Sequence, residues 1–341
     1  MEETWYFYPI PFLYTLNSDL SKATYGINLS YKNFRGRNET LKALVGIGYD
    51  PIYAILYDNP AVLFEDDIGF TFSYYFSKLT NKSPTARKII GFDYQHKSIS
   101  QSVAVYKRFN QFNVGYLSVG FTYVETDFSL KGITASGSRI DRLLTAGLSY
   151  VYDSRDLKQY SVNGIYSLIS IAYNGFGINN ISYNKFGLDF REYRTIYKQL
   201  SGKWRLLYRS VFGGLVPYYD YSFLGYMERV RGHYNDIREG KNSLLTSFEL
   251  SYPIIKEWNV NLKLPLLPES LTSGRIGIYF TSFIDAGGTF NGSDSFSLNR
   301  FYSGYGFGIT ILLLPYDAVR FEYSFNELGT GEFIIGTGFS F

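Results

Sequence analysis

Arg231 stands in the stretch Val-Arg-Gly-His-Tyr, from Val230 to Tyr234, and two isolated carboxylates follow it on strand-like segments. Asn242 to Ile254 carries Glu249, and Arg275 to Gly287 carries Asp285 near its close. A guanidinium offers a planar fork of donors that fits a carboxylate bidentately, and Gly232 beside it lets the backbone approach closely. The chemistry this set supports is an ion pair that fixes a loop. Other sets support less. The only histidines are His96 and His233, and cysteine is absent, so no metal cluster, thiolate site, disulfide or Ser-His pair is expected. There is no G-x-S-x-G, and Asp66-Asp67 and Glu2-Glu3 read as solvated turn charges. An enzyme is not expected, nor is a cofactor.

The elements that must position Arg231 are strands. Aromatic residues make up 19% of the chain and proline only 10 residues, a profile that favours pleated surfaces. No apolar run approaches the roughly 18 residues of a spanning helix. The densest, Ile309 to Leu314, stops at Pro315. The net charge of +3 is small and interspersed, which gives no footprint for nucleic acid. A mean hydropathy of -0.11 suits a barrel with one lipid face and one wet face, because only alternate residues must be apolar.

Alternation supports that choice. Tyr305, Phe307, Ile309, Ile311 and Leu313 oppose Gly306, Gly308, Thr310 and Leu312, and Val319, Phe321, Tyr323 and Phe325 oppose Arg320, Glu322, Ser324 and Asn326. Leu244 to Tyr252 alternates in the same way, which puts Glu249 with Ser247 and Ser251; Asp285 likewise shares a face with Phe283 and Thr281. Soluble strands average about 5–6 residues, whereas these reach the roughly 9–11 needed to cross a bilayer at a tilt. Strands are expected near 8–16, 22–33, 40–49, 52–59, 66–79, 98–109, 113–126, 139–153, 163–175, 181–196, 202–215, 242–254, 275–287, 302–314, 317–326 and 331–341. The fold class is therefore all-β: a transmembrane antiparallel β-barrel of about 16 strands, an even number, in one domain over 1–341. Long connections at Lys78–Lys97, Asp127–Ser138, Val216–Lys241 and Gly288–Phe301 alternate with short ones such as Asn110–Phe112 and Pro315–Tyr316, as outer loops and periplasmic turns should. Ala86 to Gln95 is strand-like, but parity assigns it to the third outer loop.

Two features concern closure of the barrel. Pro9 and Pro11 are two residues apart, so within one strand their missing donors point to the same edge. Facing the last strand, that edge would pair weakly; the other reading is that the prolines only guide the chain into the membrane. At the far end, Phe339 and Phe341 share a face with Phe333 and Ile335, an amphipathic strand closed by a terminal aromatic. Met1-Glu2-Glu3 is acidic and no apolar core follows, so the expectation is a mature chain or one that carries an added Met1. The barrel is expected to begin within about ten residues of Met1, leaving no room for periplasmic domains after it.

Five strings carry a resemblance to a known superfamily. They are Asn33-Phe34-Arg35-Gly36-Arg37 in an early hairpin, Val151 to Asp156 with Asp153, Arg155 and Asp156 at a periplasmic turn, Val230 to Tyr234, Phe248 to Ile254, and Phe283 to Gly287. In this order they resemble the BamA/TamA-type outer-membrane assembly and translocation barrels, the bacterial surface antigen family, with His233 between Gly232 and Tyr234 where the family usually places its aromatic directly after the glycine. The terminal Phe341 is similar to the carboxy-terminal signal of bacterial outer-membrane proteins.

The resemblance implies a bacterial outer-membrane barrel, set in outer-membrane lipid, whose sixth outer loop folds into the lumen with Arg231 and Gly232 meeting Glu249 and Asp285. It implies insertion of outer-membrane proteins or translocation of polypeptide, a lateral gate at a seam of Pro9, Pro11, Phe339 and Phe341, and no POTRA domains, so that client proteins would be recruited by lipoprotein or periplasmic partners. A stand-alone pore of the same fold is the alternative. Arg231, Glu249 and Asp285 could also merely fill a barrel with charge. Both readings bring the groups together, and they differ in whether parting them disturbs activity as well as stability. Water in the lumen is expected to keep the cost of losing Arg231 below that of a dry ion pair.

Overall fold

The computed structural model describes residues 6–16, 19–63, 66–157, 160–225, 228–234, 236–261, 273–292, 301–314, 317–338 and 340–341. The first strands are β1 (Tyr6–Leu16), β2 (Asp19–Phe34), β3 (Glu39–Gly48), β4 (Ile52–Leu63), β5 (Ile68–Thr80) and β6 (Gln95–Arg108). β7 (Asn113–Glu125), β8 (Ile140–Asp153), β9 (Gly164–Asn174), β10 (Tyr183–Tyr197) and β11 (Leu200–Gly213) follow. After a two-stranded ribbon of β12 (Ser222–Leu224) and β13 (Arg238–Gly240) come β14 (Asn242–Asn261), β15 (Ser273–Phe290), β16 (Tyr302–Leu314), β17 (Asp317–Asn326) and β18 (Gly331–Thr337). All but the ribbon form one 16-stranded sheet in chain order, with β1 and β18 at the two ends of that order. Neighbours such as β1 and β2, or β14 and β15, pair antiparallel.

Internal contacts divide the residues into two compact units, 1–151 with 169–186 and 211–221, and 152–168 with 187–210 and 222–341. Four of the five boundaries fall within β8 to β11, and the fifth lies between Tyr221 and the start of β12 at Ser222.

In the second unit polarity is inverted relative to a soluble protein. Ser247, Glu249 and Ser251 of β14, Thr281 and Asp285 of β15, and Glu322 and Ser324 of β17 are buried, Glu249 to 2% and Asp285 to 1% exposure. Their alternates point the other way and are apolar: Phe248, Phe280, Ile284 (54% exposed), Tyr305, Phe307 and Ile335 (62%). A face this apolar exposes far more hydrocarbon than water tolerates, whereas lipid leaves it at no cost. The first unit repeats the pattern with Leu117 (57% exposed), Val119, Leu148, Ile169 and Ile171 outward.

Several boundaries differ from the sequence expectation, each for a local reason. β14 continues past Pro253 to Asn261, with register shifts at Pro253/Ile255 and Ile255/Trp258. A residue without a donor makes the ladder slip there but does not end it. The stretch from Ala86 is neither strand nor irregular loop at first but a helix, α1 (Pro84–Ile90). Ser83 caps it by accepting from the Ala86 amide at 3.0 Å, Pro84 occupies its first turn and Gly91 closes it in the left-handed region. The connection from Val216 to Lys241 contains the β12–β13 ribbon. Gly288 to Phe290 belongs to β15, while 293–300 and 315–316 lie outside the described residues, as do Met1, Glu2 and Glu3.

Phe341 corrects the reading of the chain end. β18 stops at Thr337, Gly338 turns at φ +85, and the Phe341 ring lies 4.8 Å from the Lys203 ammonium. Alternation extrapolated through a left-handed glycine fails, so Phe341 does not extend the face of Phe333 and Ile335. Phe339 lies outside the described residues.

The exposed apolar faces predict that the chain requires detergent or lipid to remain dispersed and migrates on gels in a form that depends on boiling. A monodisperse, water-soluble monomer in analytical ultracentrifugation would contradict this assignment of faces.

Candidate functional site

Two devices bring Leu224 and residues 228–234 against the sheet. The β12–β13 ribbon pairs Ser222 with Gly240 and Leu224 with Arg238, which holds the two ends of the loop together. Leu224 and Val230 then pack with Leu207 of β11 and Leu245 of β14 in a small buried cluster. The wall opposite is cleared for them. A Cβ on Gly287 would meet Val230 at 3.0 Å and Leu224 at 3.1 Å.

Arg231 is 6% exposed, and all three of its guanidinium nitrogens donate to carboxylates. Nε and Nη2 donate to the two carboxylate oxygens of Asp285 at 2.7 and 2.8 Å, in a bidentate fork, and the backbone N–H adds a third bond to Asp285 at 3.1 Å. Nη1 donates to Glu249 at 2.9 Å and to Glu322 at 3.2 Å. Beneath, the guanidinium lies 3.6 Å from the centre of the Phe283 ring. Burial works against the charge, and the carboxylates, Asp285 first, outweigh it and raise the Arg231 pKa above its ordinary range.

The cluster balances its charge. Lys203 of β11 meets Glu249 at 2.9 Å and Arg320 of β17 meets Glu322 at 3.2 Å, so three cations face the three carboxylates Asp285, Glu249 and Glu322. Its lower side is closed by Tyr160, which shares a 2.6 Å hydrogen bond with Ser251, and by Ser340, which accepts from Lys203 at 2.5 Å.

Backbone contact requires glycine twice. Gly232 has φ +95, and its N–H and that of Tyr234 donate to Glu332 of β18 at 2.9 and 3.1 Å. On β16 a Cβ at Gly304 would lie 1.6 Å from the Arg231 carbonyl oxygen, a position no side chain can share. His233 fills the place in the motif that departs from the expected pattern. Its Nε2 lies 2.7 Å from Glu327, its Nδ1 3.3 Å from Asp236, and its ring packs edge-on to Tyr302.

A second anchor escapes reading from sequence. Glu228 accepts from Arg205 of β11 at 2.9 Å, Arg205 forks onto Asp189 of β10 at 2.9 and 2.7 Å, and Arg191 binds the same carboxylate. The Tyr166 ring lies between Arg191, at 5.0 Å, and Arg155, at 4.7 Å. Arg155 in turn forks onto Asp153 at 2.8 and 2.9 Å, while Asp156 accepts from the Leu157, Val162 and Asn163 amides and so holds the turn. Asp153 and Arg155 are thus joined to loop residue Glu228 by a run of contacts, whereas Asp156 bonds only within its own turn, and among the described residues none of the three pairs with Arg231. Pro9 and Pro11 lie within β1, opposite Leu29 and Ile27 of β2.

Sequence reasoning misses Glu322, Glu332, Lys203 and the Asp189–Arg205–Glu228 set. A signal existed for Glu322, which alternates with apolar Phe321 and Tyr323; Lys203 and Arg205 alternate likewise with Trp204 and Leu206. Among the described residues no group of three or more His, Cys, Asp and Glu is arranged to hold a metal ion.

The model of the Omp85 superfamily domain matches residues 33–341. No curated protein matches the chain in sequence. Among solved structures, BamA from Haemophilus ducreyi lacking POTRA domains 1-3 is similar at a TM-score of 0.65 and 16% identity, over 98% of this chain and 70% of that one. CdiB from Escherichia coli gives 0.60 and 12%, over 96% and 61%, and CdiB from Acinetobacter baumannii 0.56 and 13%, over 98% and 65%. At such identities the likeness is one of fold, and the chain spans about two thirds of their length.

Burial makes the loss of Arg231 more costly than a water-filled site would. Arg231→Ala leaves three carboxylates against two cations, a change on the order of 3–5 kcal/mol for buried pairs. The loop should become the first site of proteolysis while boiling-dependent mobility persists. Arg231→Lys should restore protection only in part, because an ammonium lacks the fork. Gly304→Ala should release the loop with every charge intact; protease protection of residues 228–237 equal to wild type in both Arg231→Ala and Gly304→Ala would show that the loop is held by other means.

Proposed function

Starting from the fact that the chain belongs to the Omp85 superfamily, we propose that it closes into an outer-membrane barrel, docks residues 222–241 in the lumen through Arg231, and moves polypeptide into or across the membrane. Membership places the protein in the outer membrane, gives it a general insertase or translocase role, and sets it outside the enzymes. The observation that carries the finer reading is the Arg231 cluster. A loop held by one fork to Asp285, with further bonds to Glu249, Glu322 and Glu332, is either fully docked or released, because losing one partner strands the others. Such an element can serve as a plug or as a platform in a barrel that must stay sealed between clients.

The seam is the proposed exit. Pro9 and Pro11, paired in register with Leu29 and Ile27 of β2, are two residues apart and so present their missing donors to one edge of β1. In an edge strand proline is tolerated with that side unpaired. Meeting β18, such an edge would form a weak closure that a client strand could displace by adding its own backbone bonds. Client outer-membrane proteins, with periplasmic or lipoprotein partners that deliver them, are the partners this reading requires. A passive pore is the competing use of the same lumen.

Reconstitution into liposomes separates the two. Accelerated folding of an added client barrel is expected, and ion conductance with no folding assistance would favour the pore. A disulfide engineered between β1 and β18 should abolish insertion and leave conductance unchanged. Full cross-linking with undiminished insertion would remove the lateral exit.

A further inference from the structure

The exposed face of the first unit holds a groove of about 540 Å³ at the end of β6–β9 nearest the short turn 109–112. Val105, Phe109, Leu117, Leu148, Ile169 and Ile171 supply its walls. It exists because Gly115, opposite Lys107 in the β6–β7 register, has no side chain to fill the space between Phe109 and Leu117. A Cβ there would already meet the Phe109 ring at 3.1 Å.

Three observations point to one kind of occupant. The groove lies on a face that lipid covers, and its lining is apolar, as a hydrocarbon chain requires. Its rim is aromatic: Phe109 and Tyr150 are 6.5 Å apart, and Tyr150, whose hydroxyl donates to Asn113 at 2.6 Å, is an amphipathic ring of the kind that belongs at headgroup depth. Lys107 is exposed within that rim, and among the described residues its ammonium meets no carboxylate. A cation on a lipid-facing wall is costly unless it reaches the polar layer and an opposite charge. Short turns mark the periplasmic side of such barrels.

We propose that this groove is a site for one anionic diacyl phospholipid of the periplasmic leaflet, with an acyl chain along Leu117, Leu148 and Ile169 and its phosphate on Lys107. The chain provides apolar contact and the ammonium provides headgroup choice. The inference depends on the lipid-facing wall and not on the insertase reading, so liposome insertion assays and lipid retention can fail separately.

Native mass spectrometry of the full chain, released from detergent after incubation with equal phosphatidylglycerol and phosphatidylcholine of matched acyl chains, tests it. Wild type should retain one phosphatidylglycerol in preference. Lys107→Gln should lower the preference about fivefold, the worth of one lysine near an anionic surface. Lys198→Gln, the same charge change in the turn after β10, should leave it intact. Gly115→Leu should reduce retention of both lipids, with boiling-dependent mobility confirming that the barrel has formed. Equal retention of the two lipids by wild type, or an unchanged preference in Lys107→Gln, would overturn the proposal; so would an equal fall in Lys198→Gln, which would mean that net charge alone attracts the lipid.

Discussion

Burying one guanidinium is the constraint that organises the second unit. Taken from water without partners, Arg231 would be among the costliest groups in the chain, and the fold meets that cost with carboxylates from β14, β15 and β17. Those carboxylates are like charges in one place, so they in turn require Lys203 and Arg320. Each member is tolerable only because the others are present. The glycine at 304 follows from the same demand, since the Arg231 carbonyl occupies the space of its side chain.

A chain that puts polar groups in and apolar groups out must obtain its order from directional bonds. Hydrocarbon lipid offers little advantage to packing one apolar face rather than another, whereas an unmet charge on the enclosed face is penalised heavily. The two anchors of the loop reflect this. Arg231 binds a carboxylate cluster, and Glu228 binds an arginine held by Asp189, so the loop carries one charge of each sign to partners of the opposite sign. The apolar cluster of Leu224 and Val230 adds position with no directional bond.

Period-two alternation makes the faces of Glu249 and Asp285 legible in the sequence alone, because parity along one strand needs no knowledge of its neighbours. Which residues of different strands meet at one height is a matter of register and tilt, and the sequence is silent on it. That is why Glu322 and Lys203, each on a strand whose limits are close to those expected, stay unconnected to Arg231 until the ladder sets their heights. Phe341 shows the converse error, parity carried across a turn at Gly338 that resets it. The β12–β13 ribbon, with three residues on each side, is too short to display a period. At α1 the signal is present in Ser83-Pro84, a cap followed by a first-turn proline, and local chemistry there outweighs the strand-like pattern that follows.

Whether the docked loop is machinery or filling is decided by coupling the two halves of the fork in an activity. A double-mutant cycle of Arg231→Ala and Asp285→Ala, read as the rate of client-barrel folding in liposomes, measures it. Each single change is expected to slow client folding and the double variant to be no slower than either, a coupling on the order of 1–3 kcal/mol for groups that act as one unit. Wild-type folding rates in both single variants, with the loop demonstrably released, would contradict it.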